Sequence, residues 1–277
     1  MKLTKIILLI ALFFSPIQAK QSNILRKGSI KKAIVIGASS GIGKAIAKEL
    51  AQHHYLVGIT ARRLDLLLEL KKEFPKNIYV QQMDVLEPEQ AQNQFFDLID
   101  KLGGLDLVVI NAGIWPDIDP KLLPSGGSIS WTNEKDTINV NVTGFTAIAN
   151  VAMNYFIQQR FCHLVGISSV DAVRGSASGP AYCASKAFVS TYMEGMRNKC
   201  IQLGIPIDIT DVRPGYVATY EIPPDAYWVA TPKEAAKQIY EAIVDKKKVA
   251  YVTKRWQLIA WLLQIVPDYI YNKMGGF

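Results

Sequence analysis

Tyr182 and Lys186 are the pair in this sequence whose residue types and spacing point most directly to chemistry. They stand four residues apart in a segment predicted as a helix, so both side chains project from one face. A phenol with an ordinary pKa of about 10 exchanges protons poorly at neutral pH, and a nearby ammonium lowers that pKa by stabilising the phenolate. The pair therefore predicts a tyrosine that exchanges a proton with a substrate.

A glycine-rich turn, GASSGIG, lies between the first predicted strand and the first predicted helix. Glycines permit a tight turn and a close approach of the backbone to a pyrophosphate, which then lies at the positive N-terminal end of the helix. The strand–turn–helix context strengthens a signal that is weak on its own. The residues expected to contact a dinucleotide here are Gly37, Ser39, Ser40, Gly41, Ile42 and Gly43.

The elements that would position these residues alternate between short apolar strands and amphipathic helices. The predicted strands are Ala33–Ile36, Leu56–Thr60, Ile78–Gln82, Leu105–Ile110, His163–Ser168, Ile207–Val212 and Val249–Val252. The predicted helices are Gly41–His53, Leu64–Phe74, Pro88–Leu102, Glu134–Gln159, Pro180–Leu203 and Pro232–Val244. Repeated strand–helix units predict an α/β fold, a Rossmann-type doubly wound parallel sheet of about seven strands with helices on both faces. We expect this domain over residues 31–253, between a signal-like or membrane-associating segment (1–30) and an apolar C-terminal helix and tail (254–277).

Further motifs follow the glycine-rich turn in a fixed order. Asn111, Ala112 and Gly113 come directly after the fourth strand, the YxxxK pattern spans Tyr182 to Lys186, and a Pro-Gly turn follows the sixth strand. From about Lys31 to Val252 the chain resembles the short-chain dehydrogenase/reductase family, in its single-domain branch. The resemblance implies a nicotinamide-dependent oxidoreductase that interconverts a carbonyl and an alcohol. It also implies a dinucleotide site that includes Asn111, Ala112, Gly113, Tyr182, Lys186, Pro214, Gly215, Val217 and Thr219.

The resemblance also implies a catalytic tetrad. Ser169, thirteen residues before Tyr182, matches the family serine that hydrogen-bonds the substrate carbonyl. Its neighbour Ser168 should point away, because side chains alternate along a strand. Asn141 matches the asparagine that holds a proton-relay water near Lys186, and it is preferred over Asn139 because a glycine follows three residues later. Tyr182 would then donate the proton to the carbonyl.

The end of the second strand predicts which dinucleotide is bound. A carboxylate there would bind the ribose 2′-hydroxyl of NAD and repel a 2′-phosphate, whereas arginine suits a phosphate. This sequence has Arg62 and Arg63 at that position, and its next acid is Asp65. We therefore expect NADP(H) rather than NAD(H), with Arg62 on the 2′-phosphate and Ser39 and Arg63 assisting. Asp84 and Val85 resemble the family's adenine-contacting pair.

Composition and charge exclude several other classes. The chain has 31 basic and 24 acidic residues, but seven of the basic residues and none of the acidic ones lie in residues 1–32. The remaining domain is neutral, so no nucleic-acid partner is expected. Three cysteines, without metal-ligand spacing, give neither a disulfide framework nor a metal site.

Both ends of the chain are apolar with basic flanks. Ile6–Phe14 follows Lys2 and Lys5 and resembles a signal peptide, but the positive charge is heavier after the run, which favours retention at the cytoplasmic face of a membrane over export. Trp256–Val266 could lie in a membrane interface, cover the substrate pocket or form a subunit contact. The segment Tyr220–Trp228 either lines a pocket for an apolar substrate or packs on the core.

These features combine into one leading hypothesis with two alternatives. The leading one is an NADP(H)-dependent carbonyl reductase or alcohol dehydrogenase acting on a lipophilic small molecule, in the cytoplasm or peripherally bound to a membrane through the two termini. The resemblance implies a homodimer or homotetramer built on the helix that carries Tyr182. The alternatives are an NAD-dependent secondary-alcohol dehydrogenase and a dinucleotide-binding regulatory protein without turnover.

Overall fold

The computed structural model describes residues 30–115, 130–177, 179–219 and 226–274. The predicted apolar run Ile6–Phe14 and most of the expected lid segment lie outside the described residues. Lys31–Phe277 forms one compact unit. Over the described ranges, no helix combines the length and the apolar character needed to cross a membrane.

Seven strands form a single sheet with the order β3-β2-β1-β4-β5-β6-β7, and every neighbouring pair is parallel. The chain moves outwards from β1 to β3 and returns to the centre at β4, so the switch point, where doubly wound folds bind their ligands, lies between β1 and β4. The predicted fold class is confirmed. The strands are β1 (Lys32–Ile36), β2 (Leu56–Ala61), β3 (Ile78–Gln82), β4 (Leu107–Ile110), β5 (Cys162–Ile167), β6 (Ile207–Pro214) and β7 (Val249–Val252).

Helices cover both faces of the sheet, because the strands are apolar on both sides. On β1, Ala33 and Val35 face one core, whereas Ile34 and Ile36 face the other. The helices are α1 (Gly41–Gln52), α2 (Leu64–Glu73), α3 (Pro88–Leu102), α4 (Trp131–Ile138), α5 (Phe145–Gln159), α6 (Pro180–Gln202), α7 (Pro232–Val244), α8 (Trp256–Ile265) and α9 (Asp268–Tyr271). Residues from α1, α2 and α7 build the first core, and residues from α3, α5 and α6 build the second.

The helix predicted over Glu134–Gln159 is interrupted in the structure. It begins earlier, at Trp131, and between α4 and α5 the segment Asn139–Gly144 forms a π-helical turn. A π-helical turn inserts one residue into the helix and often occurs at functional sites. Hydrophobic periodicity carries no signal for such an insertion, so the sequence predicted one continuous helix.

The C-terminal segment packs back onto the domain at both ends of α8. Trp256 is 1% exposed and lies against Gly215, where an added Cβ would come within 2.2 Å of the indole ring. At the other end, Arg174 Nη1 donates to the carbonyl oxygens of Leu263 (3.0 Å) and Val266 (2.6 Å). These carbonyls lie at the C-terminal end of the helix, where a cation is favourable.

Candidate active site

The glycine-rich turn is held tightly between three strands. The backbone amides of Gly37 and Ala38 both donate to Thr60 O at 2.9 Å, and Asn111 Nδ2 donates to Gly37 O at 2.9 Å. Gly37 has a φ of +85°, and a Cβ on Gly43 would lie only 2.1 Å from Gly37 O. A side chain is therefore excluded at both glycines. The hydrogen bonds to Thr60 and Asn111 show that the carboxyl ends of β1, β2 and β4 meet at this turn.

The N-terminal end of α1 is suited to an anion. Ser40 stands at the N-cap but makes no side-chain capping hydrogen bond, so the amides of the first helical turn keep their capacity for a pyrophosphate. Gly41 has a φ of +56°, and a Cβ there would approach Thr219 Cγ2 to 3.0 Å. Ile42 packs against the first core. The residues present thus fit a dinucleotide pyrophosphate.

The turn after β6 delivers Thr219 to this position. Pro214 ends β6, and the amide of Gly215 donates to Val252 O at 2.7 Å. Val217 then pairs with Ala230 in an isolated parallel bridge. The predicted motif after the sixth strand therefore lies opposite the glycine-rich turn, across the edge of the sheet.

The two arginines after β2 differ in their contacts. Arg63 Nη2 donates to Ser39 Oγ (3.0 Å) and Ser40 Oγ (2.9 Å), the two serines of the glycine-rich turn. Arg62 is exposed, and its carbonyl accepts a hydrogen bond from Gln82 Nε2 at 2.9 Å. The guanidinium of Arg63 is therefore fixed beside the turn, while the Arg62 side chain extends into solvent next to it.

The predicted adenine pair lies at the end of β3. Asp84 Oδ1 accepts a hydrogen bond from the Leu86 amide at 3.0 Å, which fixes the carboxylate in a turn. Val85 packs on Gly144, where a Cβ would come within 2.7 Å of Val85 Cγ2. The pair is thereby attached to the junction of the π-helical turn with α5.

Tyr182 and Lys186 lie on the first turns of α6, as their spacing predicts. Lys186 Nζ is 5.5 Å from the centre of the Tyr182 ring and donates to Ile167 O at 3.1 Å. Lys186 is only 6% exposed. Burial lowers the pKa of its ammonium to about 8, although Asp171 and Asp211 act in the opposite direction. Near neutral pH this lysine is therefore still a cation beside the Tyr182 ring, and a cation close to a phenol favours the phenolate.

Asn141 lies in the π-helical turn and is anchored to the loop after β4. Its Oδ1 accepts from the Ile114 amide (2.8 Å), and its Nδ2 donates to Ile114 O (2.9 Å) and to Ser185 Oγ (3.1 Å). A Cβ on Gly113 would lie 3.2 Å from Asn141 Oδ1 and 3.3 Å from Lys186 Nζ. Gly113 therefore stands directly over the space between Asn141 and Lys186.

Ser169 caps a short 3-10 turn directly after β5. Its hydroxyl donates to Asp171 Oδ2 at 2.9 Å and accepts from the Asp171 amide at 3.1 Å. It also lies 3.4 Å from Pro214 O. Asp171 is a site residue that the sequence analysis missed; the available signal was an acidic residue two positions after the candidate serine.

Ser168 faces the opposite way, as strand alternation predicts, into a buried ionic network. It donates to the Asp211 carboxylate and to the carbonyl that follows it on β6. Asp211 also accepts from Ser190 Oγ (2.7 Å) and Arg213 Nε (2.8 Å), and Arg213 Nη1 donates to Tyr251 Oη at 2.9 Å. Burial lowers the pKa of Arg213, but Asp211 reverses the effect and raises that pKa overall. The network fixes β6 and α6 behind the candidate site.

Trp115 is a second residue that the sequence analysis missed. Its ring meets that of Tyr182 edge to face, with 4.3 Å between the centroids, and it is 38% exposed. The signal was an aromatic residue two positions after Gly113. The indole covers one side of the Tyr182 ring and so restricts what can approach the phenol.

Comparison with known proteins supports the family resemblance. A family model described as short chain dehydrogenase matches residues 31–222. An uncharacterized oxidoreductase of Myxococcus xanthus is 36% identical over 193 residues, which are 68% of this chain and 73% of that protein. The NADP-dependent 3-hydroxy acid dehydrogenase YdfG of Escherichia coli is 27% identical over 188 residues, again 68% and 73% of the two chains.

Solved structures share the fold. A short-chain dehydrogenase from Streptomyces avermitilis superimposes with a TM-score of 0.73 at 21% identity, covering 89% of this chain and 96% of its own. ElxO with NADP bound gives a TM-score of 0.70 at 24% identity, with 81% and 97% covered. Since the family model matches more than half of its length, the chain belongs to the short chain dehydrogenase family of NAD(P)-dependent oxidoreductases acting on CH–OH groups.

Proposed function

We propose that this enzyme interconverts a ketone or aldehyde and the corresponding alcohol with NADP(H) as its dinucleotide. The observation that carries the proposal is the buried Lys186 ammonium beside the Tyr182 ring, at the edge of the sheet that also holds the glycine-rich turn. When bound, the nicotinamide supplies the hydride that reduction of a carbonyl carbon requires. Tyr182 donates a proton to the carbonyl oxygen, and Ser169 orients that oxygen by a hydrogen bond.

The remaining two residues of the tetrad restore the proton on Tyr182. Lys186 stabilises the phenolate that is left after donation. Asn141, next to Lys186, holds a water through which a proton returns. In the oxidative direction the same residues act in reverse, and Tyr182 accepts the proton of the alcohol.

The preference for NADP(H) rests on the cationic pair at the end of β2. Arg63 is fixed on Ser39 and Ser40, and Arg62 stands exposed beside it, so two guanidinium groups would be available to hold a ribose 2′-phosphate. Arginine binds phosphate through charge-assisted forked hydrogen bonds. YdfG is named NADP-dependent, and ElxO was solved with NADP bound. Both names support the same preference.

An Arg62→Asp variant tests the cofactor preference. A hydrogen bond to a charged group contributes roughly 1.5–3 kcal/mol, so the Kd for NADPH should rise at least about tenfold while the Kd for NADH stays the same or falls. Titration of cofactor fluorescence measures both constants. Lys72→Asp, the same charge change at an exposed position on α2, is the matched control and should leave both constants unchanged. Tighter binding of NADH than NADPH by the wild-type protein would refute the preference and favour the NAD-dependent alternative.

A lipophilic substrate and peripheral membrane contact are proposed from the C-terminal segment. Trp256 and Leu263 bury one side of α8, whereas Leu258, Trp261 and Ile265 are 58%, 55% and 56% exposed. The basic residues Lys254 and Arg255 directly precede this apolar face. Exposed apolar residues with a tryptophan and flanking cations suit the surface of an anionic membrane. A membrane-bound enzyme at the cytoplasmic face would draw its substrate from the lipid phase.

Co-sedimentation with vesicles of phosphatidylcholine, with and without phosphatidylglycerol, tests this contact. The wild-type protein should pellet with the anionic vesicles, and Trp261→Gln should reduce the bound fraction. Trp131→Gln alters a tryptophan on α4 that is still more exposed, at 69%, and should have no effect. The protein is also proposed to be a homodimer or homotetramer. If Trp261→Gln changes the mass seen by light scattering but not vesicle binding, the exposed face of α8 is a subunit contact and the membrane proposal is wrong.

A further inference from the structure

A carboxyl group without a role in the proposed reaction lies beside the candidate catalytic serine. Ser169 Oγ donates to Asp171 Oδ2 at 2.9 Å and accepts from the Asp171 amide at 3.1 Å. A serine hydroxyl carries one proton, so a proton committed to Asp171 is not available to a substrate carbonyl. While Asp171 is ionised, the donor that carbonyl reduction requires is therefore occupied.

The surroundings of Asp171 determine its protonation. Lys186 and Cys183 face it from α6, and Tyr271 faces it from α9. Burial raises the pKa of the Asp171 carboxyl, and the hydrogen bond from Ser169 and the charge of Lys186 oppose this shift without cancelling it. The neutral acid is thus favoured more than in an ordinary exposed aspartate.

We propose, on the basis of the function proposed above, that Asp171 is a positioning residue that sets the direction of the Ser169 hydroxyl. As a carboxylate it accepts the Ser169 proton, and Ser169 then offers only the lone pair that the Asp171 amide leaves free, which suits the O–H of a bound alcohol. As a carboxylic acid it donates its own proton to Ser169 Oγ, and the Ser169 proton turns to a bound carbonyl oxygen. The proton that distinguishes the two states is exchanged with solvent before the substrate binds.

The first test needs neither cofactor nor substrate. Carbon-13 NMR of protein labelled at the aspartate carboxyl carbons gives the pKa of Asp171, and the Asp171→Asn spectrum identifies its signal. Because the bond from Ser169 stabilises the carboxylate, Ser169→Ala should move the Asp171 pKa further upwards. An unchanged pKa in Ser169→Ala would show that the two groups are not coupled and would overturn the proposal.

The second test compares pH profiles of kcat/KM for the reduction of 2-decanone by NADPH. In the wild-type enzyme the rate should fall about tenfold as Asp171 ionises, the size expected for a lost charge-assisted hydrogen bond. The pH profile of Asp171→Asn should lack this step, because an amide donates to Ser169 at every pH. The steps that arise from Tyr182 and Lys186 should remain in that profile. Asp97→Asn, at an exposed position on α3, is the matched control and should keep the wild-type profile.

The two tests separate this proposal from the proposed function. An Asp171→Asn enzyme with an unaltered wild-type profile would refute the positioning role while leaving the oxidoreductase intact. If the wild-type enzyme reduces no ketone with NADPH, the proposed function fails, and the NMR coupling alone decides whether Asp171 controls the serine. If Asp171 were merely structural, Asp171→Asn would lower the stability of the protein but would keep every step of the pH profile of kcat/KM.

Discussion

Gly113→Ala should damage catalysis without damaging the fold. Gly113 is exposed and its φ lies outside the left-handed region, so one added methyl group meets no backbone strain. The new Cβ would lie 3.2 Å from Asn141 Oδ1 and 3.3 Å from Lys186 Nζ, closer than ordinary van der Waals contact. One or both of these side chains must therefore move by a few tenths of an ångström.

The magnitude follows from the sensitivity of catalysis to position. A misplacement of about 1 Å costs roughly 100-fold in rate, so a shift of a few tenths should lower kcat about threefold to tenfold. The free energy of unfolding should change by less than about 0.5 kcal/mol, since the site is at the surface. The cofactor Kd is measured beside kcat, because Gly113 and Lys186 are also among the residues expected to contact the dinucleotide.

The matched control is Gly195→Ala, the same substitution inside α6. An added Cβ there meets nothing within 4 Å. It should raise the free energy of unfolding by about 0.5–1 kcal/mol, because alanine is a better helix former than glycine, and leave kcat unchanged. Steady-state kinetics, cofactor fluorescence and urea unfolding measure the three quantities. The reasoning would be refuted if kcat were unchanged in Gly113→Ala, including the case in which only cofactor binding became weaker.

Two further substitutions, with one control substitution, test the electrostatics in and behind the site. The Lys186 pKa of about 8 means that folding disfavours its ammonium and so lowers the free energy of unfolding. This loss is complete below about pH 8. It disappears between about pH 8 and 10.5, because the lysine becomes neutral first in the folded and then in the unfolded state. Lys186→Met should raise the free energy of unfolding at pH 7 by on the order of 2 kcal/mol and leave it unchanged near pH 10.5. The same variant should lower kcat roughly 100-fold. An equal gain in stability at both pH values would contradict the idea that burial of the ammonium is costly. Asp211→Asn leaves the Arg213 cation without its partner and should cost about 3–5 kcal/mol in urea unfolding. Asp208→Asn breaks only a partly exposed ion pair with Lys246 and should cost less than about 1 kcal/mol, and equal losses in the two variants would refute the ranking.

Strands and most helices could be predicted from the sequence because local patterns determine them. The fourth strand is a run of apolar residues from Leu107 to Ile110, as expected for a strand buried on both faces. Its predicted start at Leu105 was two residues early, since Leu105 is also apolar and buried but lies before the first paired residue. Apolar pattern reports burial, whereas the hydrogen bonds of the sheet determine where a strand begins.

Residue spacing alone predicted the candidate site only within one element, and residues on other elements, such as Ser169 and Asn141, were named through the family resemblance. Tyr182 and Lys186 share a helix face, so four residues of separation suffice to place them together. Asp171 and Trp115 owe their positions to loops whose paths no periodicity describes. The electrostatic interaction of Asp171 with Tyr271 on α9 depends on how the C-terminal segment returns to the domain, which only the folded chain reveals.

The amide of Asn141 has a directional consequence for the proposed water. Its two N–H groups are engaged by Ile114 O and Ser185 Oγ, and one lone pair of its oxygen is engaged by the Ile114 amide. The side chain can then offer a water only the second lone pair of Oδ1. A water bridging to Lys186 must point a hydrogen at Asn141 and its own lone pair at the ammonium. In that orientation the hydrogen bonds run from the Lys186 ammonium through the water to Asn141, so the water must turn before it can return a proton towards the lysine.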